Sequence, residues 1–132
     1  MTFIIEDKHG EIFGYYCNTQ IVEKFDCFQQ TDNESFEFNL QSKNNRLNKP
    51  MKFEINDLYF GGFYLYKQSD YYLIKLGNIY LYKENRKIVS HCNQYENYFN
   101  YHGVKNALCG KEPDEHIEMN FTPKRILVIQ MK

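Results

Sequence analysis

The chain has 132 residues, with 16 basic against 17 acidic side chains and a net charge of −1. That is the length of one domain, expected to span 1–132. A pI near 6.4 argues against a basic nucleic-acid binder or a polybasic membrane-surface protein, and no apolar run approaches the ~18 residues of a membrane-spanning helix. Aromatic residues make up 17% of the chain, 12 Tyr and 11 Phe against a lone alanine, Ala107. Tyr, Phe, Ile and Val favour strands and few strong helix formers oppose them, so the expected fold is mainly β.

In chain order, Phe3–Glu6 and Glu11–Tyr16 are two strand-like runs joined by the polar Asp7–Gly10, which predicts a hairpin. Thr19 could cap a short helix carrying Ile21, Val22, Phe25 and Phe28 on one face. Residues 35–40 alternate cleanly, with Phe36, Phe38 and Leu40 on one side and Ser35, Glu37 and Asn39 on the other; the phenylalanines are expected to supply core area. A polar loop over 41–50 leads to a strand at 51–55. Gly61-Gly62 precede a strand at 63–66, and Gly77-Asn78 read as the tight turn between strands 71–76 and 79–83. The stretch 91–116 is the least regular. Strands are expected at 116–121 and 125–131, the last apolar on both faces and therefore expected to be central and covered on both sides. Eight or nine short strands with frequent turns predict a two-layer antiparallel β-sandwich with few short helices.

Four cysteines, Cys17, Cys27, Cys92 and Cys109, form no C-x-x-C. The opening MTFIIEDKHG turns acidic after four apolar residues and does not read as a signal peptide. Reduced, mostly buried thiols in an intracellular, cytoplasmic protein are expected. His91, Cys92, His102, Cys109 and His116 could ligate zinc by residue type, but their spacing fits no standard finger, so neither metal nor cofactor is expected. Cys92 or Cys109 beside a histidine could be a nucleophile; Ser90-His91-Cys92, however, would send neighbours to opposite faces of a strand. Asp114-Glu115 read as solvated loop charge. Lys43, Arg46, Lys49 and Lys52 form one basic loop, the sole hint of nucleic-acid or transcription-associated binding. Tyr71, Tyr80 and Tyr82 could present a platform to a glycan or other small ligand.

The order of these pieces resembles a TLDc domain over nearly the whole chain, in a short, divergent form without that family's usual N-terminal helical portion. Gly10-Glu-Ile-Phe13-Gly14 is similar to its G-x-x-F-G hairpin, and Ser35-Phe36-Glu-Phe38-Asn-Leu40 to its S-F-x-F-x-L strand. Gly77 stands where the family has a glycine-rich turn. Ser90 and Cys92 followed by Tyr95 resemble its Ser/Cys segment, Leu108-Cys109-Gly110 its L-x-G, and Ile126–Ile129 its closing strand. The resemblance implies structural roles for these motif residues and a non-enzymatic, protein-binding regulatory domain. It further implies a link to oxidative-stress resistance and the vacuolar proton pump as a partner. The alternatives are a ligand-binding sandwich and a nucleic-acid binder.

Overall fold

The computed structural model describes residues 1–18, 25–29, 32–42, 47–56, 62–67, 72–83, 90–95, 97–109 and 118–130. These residues form eleven strands in two antiparallel sheets and, among the described residues, no helix. The first sheet contains β1 (Thr2–Asp7), β2 (Ile12–Tyr16), β4 (Phe36–Gln41), β5 (Met51–Glu54) and β11 (Pro123–Ile129), in the order β11-β1-β2-β4-β5. The second contains β3 (Phe28–Gln29), β6 (Phe63–Leu65), β7 (Tyr72–Leu76), β8 (Ile79–Tyr82), β9 (His91–Asn93) and β10 (Glu118–Asn120), in the order β10-β9-β8-β7-β6-β3.

The expected hairpins form. Gly10, at φ +88°, closes the first, with its N–H donating to the Asp7 carbonyl at 3.1 Å. Gly77 turns β7 into β8 at φ +58°, a conformation glycine adopts without steric cost. The helix expected from Thr19 is not continued at its described end. Residues 19–24 lie outside the described residues, while Phe28 pairs with Tyr64 as a strand and Phe25 bridges Leu65. Leu65 and its neighbours offer an open sheet edge there, and edge pairing overrides a weak helical pattern.

Alternation along β1 and β2 sends Phe3, Ile5, Phe13 and Tyr15 inward, where they meet Phe63, Leu76, Ile79, Leu81 and Cys92 of the second sheet. Phe3 and Phe63 span the two layers with ring centroids 5.9 Å apart. One side of the core is filled by the irregular segment 97–109, which contributes Phe99, Tyr101, Ala107, Leu108 and Cys109. Phe99 also bridges Ile55, and Asn100 N–H donates to the Glu54 carbonyl at 2.8 Å, so this segment covers the β5 edge of the first sheet.

β4 reverses the expected polarity. Its alternation is as read, but Glu37 and Asn39 face inward and Phe36, Phe38 and Leu40 lie on the outer side, where Phe38 is still buried, Phe36 half-buried and Leu40 exposed. The cause is the neighbour. β4 lies over the irregular segment, whose backbone groups need hydrogen-bond partners that a second sheet would not need. Asn39 Nδ2 donates to the Leu108 carbonyl at 2.8 Å, and Glu37 accepts from the Asn78 backbone N–H at 2.8 Å. The closing strand β11 also departs from the covered central position expected of it. Its register sets Ile126 opposite Ile5 and Val128 opposite Phe3, yet it is an edge strand and is exposed on both faces.

Candidate functional site

The residues with metal-binding or nucleophilic chemistry are dispersed by the strands that carry them. On β9, Cys92 points into the core while His91 stacks on Tyr80, 4.7 Å away on the opposite face. His102, at φ +55°, is on the surface with Nε2 3.4 Å from Glu54. Cys109 is in the core beside Cys92, and His116 lies outside the described residues. Among the described residues no group of three or more His, Cys, Asp or Glu could hold a metal ion. All four cysteines are free thiols. Burial, reinforced by the neighbouring Cys109 thiol, pushes the Cys92 thiol well up, which keeps it protonated and a poor nucleophile.

Most of the family-like motif residues serve the frame. Phe13 is fully buried and meets Phe121 edge-on at 5.0 Å. Ser90 Oγ accepts from the Tyr82 N–H at 3.1 Å and so ties β8 to the start of β9. Tyr95 packs on Tyr98 at 5.0 Å. Leu108 is buried, and Gly110 lies outside the described residues. A side chain at Gly77 would press on Glu37 and the Phe99 ring, each within 2.9 Å of its Cβ.

Glu37 is the one motif-strand residue with unusual electrostatics. It is fully buried, accepts from the Tyr101 hydroxyl at 2.5 Å, and sees Asn78 Nδ2 donate to that same hydroxyl at 2.7 Å. Desolvation outweighs these bonds and the more distant Lys75, and raises its carboxyl to about 8. The Tyr101 hydroxyl is pushed well up by burial and by Glu37. The group therefore binds the first sheet to the β7–β8 turn as a largely neutral hydrogen-bonded unit at pH 7.

The outer face of the second sheet carries a row of rings. Tyr64, Tyr66, Tyr72 and Tyr82 follow one another with centroids 4.5, 4.7 and 4.3 Å apart. His91 continues the row, 5.2 Å from Tyr82 and 4.7 Å from Tyr80. Tyr80 and Tyr82 were expected here as a glycan platform; Tyr71 lies outside the described residues. The rings pack against one another across strands, an arrangement that stabilises the sheet by itself.

The outer face of the first sheet has a different character. Phe36, Phe38 and Leu40 of β4 lie beside Tyr16 of β2, Ile4 of β1, and Leu127 and Ile129 of β11. Gly14 sits between them without a side chain; the Phe38 ring fills that gap, its Cζ 2.8 Å from where a Cβ would be. The result is an apolar groove of about 440 Å³ with Phe36, Phe38 and Leu40 along its length and, among the described residues, a single charged one, Lys52, at its side. Leu40 is 46% exposed, Leu127 47% and Ile129 45%. Of this surface the sequence marked Phe36, Phe38 and Leu40 as one stripe but assigned it to the core. Ile4, Tyr16 and Lys52 carried no local signal and join the stripe only through strand pairing. Of the expected basic loop, Lys43 and Arg46 lie outside the described residues. No helix among the described residues is long and apolar enough to cross a membrane.

No protein-family description, no curated protein and no solved structure matches this chain.

Proposed function

We propose that the chain is a non-enzymatic protein-interaction domain of the TLDc type, and that it binds its partner through the outer face of the first sheet. The observation that carries this reading is the apolar outer face on which Leu40, Leu127 and Ile129 are exposed and Ile4, Tyr16 and Phe36 half-buried, with the buried Phe38 ring as its floor, on a chain whose Cys92 thiol is buried and held protonated. A sheet face of this kind is stable only when another layer is laid on it, and exposed apolar patches of such extent mark interaction surfaces. The ordered motif resemblance supports the regulatory role and makes a subunit of the vacuolar proton pump the first partner to test, with resistance to oxidative stress as an indirect consequence. The test is photo-crosslinking in cells from positions flanking the groove, with the wild-type chain and the Leu40→Asp, Leu127→Asp double variant. Both sites are on the surface, so the variant is expected to fold. A defined set of partner proteins should be captured by the wild type and lost in the variant; an identical set from both chains would reject this face as the docking surface.

A further inference from the structure

We propose that the occupant of the groove is an amphipathic helix of a partner protein that brings a carboxylate to Lys52; this rests on the protein-interaction reading above. Among the described residues Lys52 is the sole charge lining the groove, and its Nζ stands 4.4 Å from the centroid of the Phe36 ring. No ion pair to a carboxylate holds it among the described residues, and Glu54, two residues along β5, is turned to His102. A cation held over an aromatic ring at the margin of an apolar groove is matched by an anion arriving with the partner's apolar side chains.

The strands decide between a helix and an extended segment. β4 is paired on both sides, with β2 and β5, so its backbone has no free edge to which a partner strand could add. What β4 offers is two ridges, Phe36 and Leu40, about 13 Å apart along the strand, with the buried Phe38 ring as the floor between them. A helix laid along that row presents residues i and i+4 about 6 Å apart, so the apolar side chains of two successive turns fit between the two ridges. The groove is too open to enclose a small ligand, and one lysine gives little attraction to a membrane surface.

The experiment is selection from a displayed library of helical peptides of about 18 residues, long enough to hold a helix. Each has a fixed Leu ridge at i, i+3, i+4 and i+7, with the flanking positions randomised. The bait is the full chain as wild type, as Lys52→Glu, and as Leu40→Asp. The wild type should enrich Asp and Glu at one flank by about fivefold, as expected for a partly exposed ion pair. Lys52→Glu should enrich Lys and Arg at the same flank, and Leu40→Asp should select nothing. Ridge peptides that bind the wild type without charge bias, or with the same bias to Lys52→Glu, would overturn the Lys52 pairing while leaving the face as a protein-binding surface. Failure to select any peptide would overturn the helix itself. Sedimentation of the free chain as a dimer that Leu40→Asp dissociates would also overturn it, since the occupant would then be a second copy.

Discussion

Glu37 sits between Phe36 and Phe38 in a strand that reads as apolar, and it is the best-buried acid of the inner face. The groups that face it are Tyr101, Asn78, Cys92 and, farther off, Lys75. Its carboxyl is raised from 4.5 to about 8, so the folded chain holds a proton that the unfolded chain releases. Below about pH 4.5 both states are protonated and stability is complete. As pH rises from there to about 8 stability falls, and then levels. We expect Glu37→Gln to remove that slope, because an amide oxygen still accepts from Asn78 without titrating; thermal denaturation between pH 5 and 9 reads it. A wild type whose Tm shows no greater loss than the variant over this window would contradict the assignment. Gly14 is the second residue with a defined demand. A Cβ there would lie 1.9 Å from the Phe3 carbonyl oxygen, a backbone atom that cannot swing away. Gly14→Ala should destabilise by roughly 1–3 kcal/mol in a denaturant titration, with Phe38 displaced into the groove.

At the scale of the strand, β5 and β11 make opposite predictions. Phe53 of β5 is fully buried and packs on Tyr101 with centroids 5.3 Å apart. Phe53→Ala should cost about 3–5 kcal/mol, since it removes a ring the core cannot close over. Val128 of β11 is 54% exposed, on a strand that among the described residues pairs only with β1. Val128→Lys should change stability by no more than ~0.5 kcal/mol. The same substitution should reduce aggregation on heating, because charge on an open edge discourages strand addition. In sequence β5 alternates apolar and charged residues, whereas β11 is apolar on both faces. An apolar pattern on both faces of β11 fits a covered central strand as well as an uncovered edge, and only its pairing tells them apart. β4 shows the same limit from the other side: period-two alternation fixes which residues share a face, not which face meets the core.

Across the whole molecule, the core gathers from strands and loop alike, and the thiols report on it. Cys17, Cys92 and Cys109 are buried, whereas Cys27 is partly exposed. One thiol per chain should therefore react promptly with a disulfide reagent in the native state, and the other three only on unfolding. Rapid labelling of Cys109 would mean that the segment 97–109 opens locally. Much of this architecture was legible beforehand. Turn chemistry at Asp7–Gly10 and Gly77-Asn78 with alternating aromatics gave the hairpins, and their number gave the sandwich. β3 and β9 were not legible, because runs of two and three residues carry no periodicity of their own and exist only through neighbours they pair with. The groove was half legible, as the stripe Phe36, Phe38 and Leu40. Composition and spacing by themselves determined the longer strands, the two hairpin turns and the β class, since these follow from local steric and hydrogen-bond preferences within a few residues. Which side of β4 is buried, that β11 is an edge, and that Ile4, Tyr16 and Lys52 join one surface were decided only by tertiary structure, because each depends on partners far away in the chain.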